Sequence, residues 1–223
     1  MINIAGNISS LMRKIPPSVK LIAVSKTRPV SDILKAYNAG QRYFGENRVQ
    51  ELLSKRDLLP DDIEWHLIGH LQSNKVKYIV PFIGMIQSVD SFKLLSVIDS
   101  EALKINRLVD CLLQIHIASE ETKFGFSLEE LYEMADFQEY KNLKNVRICG
   151  VMGMATFTSD IALIRKEFSF LTDCFNNLKH NKFADSPHFK EISMGMSGDY
   201  QIAIDEGSTI VRIGSLIFGE RKK

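Results

Sequence analysis

The chain has 223 residues, which at about 100–200 residues per domain allows one large domain or two very small ones. Its 28 lysines and arginines balance 27 aspartates and glutamates, so it lacks the positive field of a dedicated nucleic-acid binder. With 45% hydrophobic and 25% charged residues the composition is that of a globular protein, which excludes a disordered, collagen-like or highly charged tail protein.

The cysteines and the absence of long apolar runs indicate the compartment. Cys111, Cys149 and Cys174 cannot all pair, and none lies in a C-x-x-C motif, so we expect a reducing environment and core packing for all three. No apolar run approaches the ~20 residues of a membrane span. The first residues also lack the basic and apolar regions of a secretory signal. These features predict a cytoplasmic protein.

Eight short apolar segments recur along the chain, each followed by a polar turn and usually by an amphipathic stretch. Several are β-branched and nearly continuous in apolar character, which is typical of strands buried on both faces of a parallel sheet. The predicted strands span residues 21–24, 42–44, 65–68, 85–89, 111–117, 146–152, 191–194 and 209–213.

Helical patterns lie between the predicted strands. Residues 1–14 predict an extra helix packed on the outside of the fold, and the stretch after Ser159 carries an apolar stripe in steps of three and four. Gly40 is placed to end the first of the helices between strands. Helix starts are predicted at Ser31, at Asp90 or Ser91, and at Ser127, where Glu130 completes a capping box.

Strands alternating with helices predict an α/β fold. Eight such units close naturally into a (β/α)₈ TIM barrel, for which ~200–250 residues suffice, and an open doubly wound sheet is the alternative. Because the barrel uses nearly the whole chain, we expect residues 1–223 to form one domain.

The active site of such a barrel lies at the carboxyl ends of its strands, and Lys26 follows the first of them. Four apolar residues precede it, so its amine is predicted to enter the barrel mouth from a desolvated wall. Desolvation favours the neutral amine, which can form a Schiff base with a carbonyl compound. A lysine that extends from a strand end into water is the more common situation.

The loops after the seventh and eighth strands have the composition of a phosphate site. In this fold phosphate is often held there, at the start of a short helix. Gly195 and Gly198 allow backbone N–H groups to approach an anion, and Gly214 opens a short segment. The hydroxyls available in these loops are those of Ser193, Ser197 and Ser215.

Arg212 lies between apolar residues of the last strand and therefore needs a partner. A pyridoxal phosphate site combines three features: a lysine that forms a Schiff base, a phosphate-binding loop and an arginine that faces the ring nitrogen. An arginine partner leaves that nitrogen unprotonated, so the ring is a weaker electron sink than one paired with aspartate. His66 is a candidate to line the pocket, and Met152 and Met194 are candidates to cover the ring, although methionines commonly fill gaps.

Several segments resemble the YggS/PROSC family of pyridoxal phosphate homeostasis proteins. They run in order from residue 23 to residue 219 and together are highly specific. The matching segments are AVSKT from residue 23, FGENRVQE from 44, WHLIGHLQSNK from 65, SVDS from 88, KFG from 123, SMGMS from 193, VRIGS from 211 and IFG from 217. Arg48 stands where tyrosine is frequent in the family, and Ser215 where threonine is frequent.

The resemblance implies a barrel similar to the N-terminal domain of alanine racemase, with pyridoxal 5′-phosphate bound as a Schiff base on Lys26. It also implies that Arg212 faces the pyridine nitrogen and that Ser193, Gly214 and Ser215 hold the phosphate. The full set of candidate cofactor-binding residues is Lys26, Asn47, His66, Ser88, Met152, Ser193, Met194, Arg212, Gly214 and Ser215. No catalytic residue and no metal ligand is predicted.

The expected function is to hold and deliver pyridoxal phosphate, with apo-enzymes that use this cofactor as acceptors, and so to influence vitamin B6 and amino-acid balance. An amino-acid racemase is the first alternative. It needs a second acid–base group opposite Lys26, for which Tyr43 and Tyr200 are weak candidates. The second alternative is a barrel that binds another phosphate compound and in which Lys26 has only a structural role. We expect a monomer without nucleic-acid or membrane partners.

Overall fold

The computed structural model describes residues 2–119 and 125–220. Within these residues eight parallel strands hydrogen-bond in chain order, and the last pairs with the first, so that they close a barrel. The strands are β1 Lys20–Val24, β2 Tyr43–Glu46, β3 Glu64–Leu67, β4 Met85–Val89, β5 Val109–Gln114, β6 Val146–Met152, β7 Glu191–Ser193 and β8 Ile210–Ile213. The (β/α)₈ barrel is confirmed, and the open doubly wound sheet is excluded.

Helices surround the barrel. They are α1 Ile4–Lys14, α2 Val30–Asn38, α3 Val49–Arg56, α4 Val76–Ile79, α5 Phe92–Leu103, α6 Leu128–Asp136, α7 Gln138–Lys141, α8 Ile161–Asn181, α9 Tyr200–Asp205 and α10 Ser215–Phe218, with a 3₁₀ turn over Ser73–Lys75. None of the helices in the described ranges combines the length and apolarity needed to cross a membrane. Lys123 and Phe124 of the family-like segments, Met1 and the tail from Arg221 onward lie outside these ranges.

The predicted helix ends are mostly observed. Ser91 caps α5 through the N–H of Leu94, and Ser127 forms the predicted capping box at α6. Gly40 has a left-handed φ of +97°, one residue after the cap of α2, as a helix stop requires. The start of α2 was predicted wrongly at Ser31. Pro29, in an extended backbone conformation, precedes the helix, and its first residue is Val30.

Side chains alternate between two apolar layers. The larger layer lies between the strands and the helices, and Cys111 and Cys174 are buried in it as predicted. The smaller layer fills the barrel interior and is formed by Ile22, Met85, Leu112, Cys149, Met152 and Ile210, with Tyr43 against it. At the amino ends of the strands Arg147 pairs with Asp110 across 2.6 Å, which covers that end of the interior with charge.

A bulge in β6 shifts the register of β5 against β6 between Cys111 and Leu112. Gly150 stands at this point with φ +151°, and a Cβ there would lie 1.8 Å from the carbonyl oxygen of Glu191. Glycine is therefore required by both conformation and space. Beyond the bulge β5 ends at Gln114 instead of residue 117, because Ile115 pairs with Phe126 in an isolated bridge.

Candidate functional site

The predicted lysine and arginine lie toward the same end of the barrel. In the β1–β8 ladder Ile22 is paired with Arg212, and Lys26 follows four residues later, just past the carboxyl end of β1. Asn47 follows β2, and Gly214 follows β8. Because the carboxyl ends of all eight parallel strands meet at the same rim, these residues share one mouth.

The backbone on both sides of Lys26 is held by a buried ion-pair cluster. Glu46, at the end of β2, is fully buried, and its Oε1 accepts hydrogen bonds from Ser25 Oγ at 2.7 Å and from Lys55 Nζ at 2.8 Å. Lys55 also donates to the carbonyl of Ser25 at 2.9 Å and to Glu51 Oε1 at 2.6 Å. Glu51 in turn accepts from the N–H of Thr27. Lys26 therefore stands between two anchored residues.

The electrostatics of this cluster are set by burial. Desolvation raises the pKa of Glu46 above its usual value, and the hydrogen bonds from Lys55 and Ser25 oppose that rise.

Thr27 has φ +65°, a left-handed conformation that is costly for a β-branched residue. Sequence reasoning missed this cluster. The sequence contains one feature that indicates this cluster: Glu51 and Lys55 are four residues apart on a helix, a spacing that allows an ion pair.

Asn47 carries an unsatisfied hydrogen-bond acceptor at the mouth. Its Oδ1 is buried and has no hydrogen-bond partner within the described residues. Gly69 makes room for it, since a Cβ on that glycine would lie 2.9 Å from the Asn47 Cβ. A buried acceptor without a donor costs free energy, about 1–3 kcal/mol, so the position fits a ligand that donates a hydrogen bond.

Arg212 is buried, with 4% of its surface exposed. Its Nη1 donates to Ser193 Oγ at 2.6 Å, and its Nη2 donates to the carbonyl of Gly153 at 2.9 Å. Burial lowers its pKa to about 10, while the charge of Asp199 opposes the shift. The guanidinium therefore stays charged at neutral pH, and its other N–H groups are available to a ligand.

Two backbone N–H groups converge on one oxygen at the start of α10. Ser197 Oγ accepts from the N–H of Gly214 at 3.2 Å and from that of Leu216 at 3.5 Å. Ser215, between them, is the first residue of α10. Two converging donors suit an anionic oxygen. Ser197 was recognised from sequence as a nearby hydroxyl, but its place between these two donors was not.

The remaining candidates occupy different places, and His66 does not lie at the mouth. Ser193 contacts Arg212, as described, and does not contact the α10 donors. Ser88 Oγ donates to the carbonyl of Gly69 at 2.6 Å, so it anchors the loop after β3. His66 is fully buried inside the barrel, where desolvation lowers its pKa. Arg48 is exposed just before α3, and nothing in the structure explains its departure from the family pattern.

The two methionines occupy opposite layers. Met152 packs inside the barrel, whereas Met194 is fully buried in the layer between strands and helices. The reason is the alternation of side chains along a strand: Ser193 faces inward, so its neighbour Met194 faces outward. The expectation that Met194 covers a cofactor ring therefore does not agree with where its side chain packs.

The two tyrosines considered as acid–base groups also lie away from Lys26. Tyr43 is the first residue of β2, at the amino end of the barrel, where the ammonium of Lys20 lies 4.7 Å from its ring centroid. Tyr200 is buried in the outer layer at the start of α9.

The fold and the site together define a class of barrel protein. The family model described as "Alanine racemase, N-terminal domain" matches residues 1–222. An alanine racemase of Clostridium difficile 630 has the same fold, with a TM-score of 0.72 at 15% identity over 99% of this chain and 56% of that one.

Curated relatives narrow the class. The pyridoxal phosphate homeostasis protein of Aquifex aeolicus (strain VF5) is 42% identical over 204 residues, which are 91% of this chain and 87% of that protein. The structure of PipY from Synechococcus elongatus PCC7942 with PLP bound superposes with a TM-score of 0.87 at 37% identity, over 97% of this chain and 100% of that one. The chain therefore belongs to the pyridoxal phosphate homeostasis proteins within the alanine racemase N-terminal domain family.

Proposed function

We propose that this protein binds pyridoxal 5′-phosphate at the barrel mouth and delivers it to apo-enzymes that need it, without catalytic turnover of its own. The observation that carries the proposal is that Lys26, just past the carboxyl end of β1, and Arg212, in the neighbouring strand β8, lie at the same end of the barrel. The relatives named as homeostasis proteins and the PLP in PipY support it. We further propose that it acts as a monomer in the cytoplasm.

Each residue at the mouth has a role that its chemistry suits. When bound, pyridoxal phosphate supplies an aldehyde that condenses with a primary amine, and Lys26 would be that amine. The N–H groups of Gly214 and Leu216, with the Ser215 hydroxyl, would hold the phosphate. Arg212 would donate to the pyridine nitrogen. Since its pKa of about 10 keeps it protonated, it would not give that nitrogen a proton at neutral pH.

This arrangement favours holding the cofactor over racemisation. Racemisation requires an acid–base group on each face of the α-carbon. Tyr43 lies at the opposite end of the barrel and Tyr200 is packed in the outer layer, so neither meets this requirement.

The cofactor assignment is tested by visible absorption. Purified protein is titrated with pyridoxal phosphate, and Lys26→Ala is compared with Lys93→Ala, an exposed lysine near the start of α5, close to the carboxyl end of β4. We expect the Schiff-base absorption band in the wild type and in Lys93→Ala and its loss in Lys26→Ala. An equal band in Lys26→Ala would overturn the assignment.

Delivery is tested separately from binding. The loaded protein is mixed with an apo-aminotransferase in the presence of an enzyme that destroys free pyridoxal phosphate. Recovery of aminotransferase activity supports delivery, and its absence refutes it. Incubation of the same loaded protein with L- and D-alanine should leave the optical activity unchanged, and rapid interconversion would establish the racemase instead. Light scattering should give a mass near 25.3 kDa, and twice that value would refute the monomer.

A further inference from the structure

A continuous line of hydrogen bonds crosses the barrel interior from its amino end to Arg212. It begins at Glu64 in β3, passes through His66, Gln87 and Ser193, and ends at the guanidinium. His66, Gln87 and Ser193 are fully buried. Interiors of such barrels are usually filled by branched apolar side chains, and a buried polar group is costly unless it is bonded. A chain of hydrogen-bonded polar side chains in the barrel interior is therefore unusual.

The chemistry of the two ends assigns every hydrogen in the line. Arg212 can only donate, so Ser193 Oγ accepts from it and turns its own hydrogen toward Gln87 Oε1, 2.7 Å away. The Gln87 amide nitrogen then donates to His66 Nδ1 at 2.8 Å, which must be unprotonated.

The far end of the line agrees with this orientation. His66 Nε2 carries the proton and donates to the Glu64 carboxylate at 3.0 Å. Glu64 lies within 3.9 Å of Lys20, and its pKa is lowered first by the hydrogen bond from His66. All donors thus point from the cation at the mouth toward the carboxylate at the amino end. This consistency identifies His66 as the neutral Nε2–H form.

Burial favours the neutral form of His66. Burial lowers its pKa most strongly, Lys20 lowers it further, and Glu64 and Glu191 oppose these effects. A proton on Nδ1 would reverse the Gln87 amide, which would then present its NH₂ group to Ser193. Ser193 already accepts from Arg212, so its own hydrogen would lose the acceptor. The protonation state of His66 is therefore coupled to Arg212 through two side chains.

We propose that His66, Gln87 and Ser193 are positioning residues that hold Arg212 in one orientation through this directed relay. The neutral Nε2–H form of His66 determines the direction of the relay. Its effect on the cofactor rests on the function proposed above: the relay fixes the guanidinium that faces the pyridine nitrogen, and it thereby controls the absorption and retention of the cofactor.

The relay is tested first on the protein without cofactor, by ¹⁵N NMR of the histidine rings. We expect His66 to be the neutral Nε2–H form throughout about pH 6–8, where a histidine in water titrates. In Gln87→Glu the new carboxylate cannot donate to Nδ1, and its charge raises the pKa of His66, so His66 should become protonated. A wild-type ring protonated on Nδ1, or an unchanged ring in Gln87→Glu, would overturn the relay.

The positioning role is tested on the loaded protein. Ser193→Ala should shift the visible band and release pyridoxal phosphate about tenfold faster, as expected for loss of the charge-assisted hydrogen bond from Arg212. The control is Ser208→Ala, a buried serine bonded to the backbone carbonyls of Ile192, Met194 and Ile210, which should change neither. An unchanged band and an unchanged release rate in Ser193→Ala would refute the role.

The two experiments also separate the relay from the proposed function. If the protein does not bind pyridoxal phosphate, the function fails, while the NMR result on the unloaded protein still decides whether the relay exists. If the protein binds the cofactor and the ring of His66 has the wrong form, the relay fails and the function stands.

Discussion

Replacing Lys55 by methionine removes the cation of the cluster that anchors the Lys26 segment and retains most of the packing. Lys55 is 8% exposed and Glu46 is fully buried, so the change leaves a buried carboxylate without its counter-ion. Breaking a buried pair in this way typically costs about 3–5 kcal/mol. For a chain of this length, at about 2–4 °C per kcal/mol, that corresponds to a lowering of the melting temperature by roughly 6–20 °C.

The loss should depend on pH with a definite sign. The folded-state pKa of Glu46 is already raised by burial, and Lys55 opposes that rise, so the variant raises it further. A carboxyl whose folded pKa exceeds its unfolded pKa destabilises the fold once pH rises through the folded value. Lys55→Met should therefore lose more stability at pH 8 than near pH 4.5, the ordinary pKa of the group.

Urea denaturation followed by circular dichroism at the two pH values measures the effect. Lys35→Met is the matched control, because Lys35 is 53% exposed and pairs with Asp32 on α2. It should change the free energy of unfolding by less than about 0.5 kcal/mol. Adding Glu46→Gln should restore part of what Lys55→Met loses. A loss under about 1 kcal/mol at pH 8, or the same loss at both pH values, would refute the argument.

Two further substitutions test the frame of the site. Gly150→Ala should destabilise the barrel by more than about 3 kcal/mol or prevent folding, because Gly150 has a left-handed φ and the new Cβ would overlap the Glu191 carbonyl. A melting temperature near that of the wild type would contradict this expectation. Glu167→Gln weakens the carboxylate that accepts hydrogen bonds from the N–H and hydroxyl groups of Ser119 and Thr156. Amide exchange of Ser119 and Thr156 should rise about tenfold, and unchanged exchange would show that these contacts do not hold the loops.

The architecture could be predicted because each strand has a local signal. Apolar runs with β-branched residues identified all eight strands, and helical spacing identified the long α8. The positions of Lys26 and Arg212 toward one rim could be predicted from the strands that precede or carry them, since the barrel brings the carboxyl ends of its strands together. The end of β5 was missed because the bulge at Gly150 and the bridge to Phe126 depend on neighbouring segments.

The supporting contacts of the site could not be predicted in the same way. In the sequence Gln87 is a polar residue within an apolar strand. Its hydrogen-bond partners His66 and Ser193 are 21 and 106 residues away, so no local pattern indicates them. The sequence predicts that Lys55 is an exposed residue of a charged helix, whereas its side chain is buried against Glu46. Such pairs depend on the register and the facing of distant elements. Sequence patterns determine which elements form and leave the pairing of their side chains open.

Reduction with borohydride followed by peptide mapping tests whether Lys26 is the residue that holds pyridoxal phosphate. The protein is loaded with pyridoxal phosphate, reduced to make the attachment permanent, digested and examined by mass spectrometry. We expect one modified lysine, Lys26, at close to one cofactor per chain. A modification spread over exposed lysines such as Lys93, or none at all, would contradict this expectation.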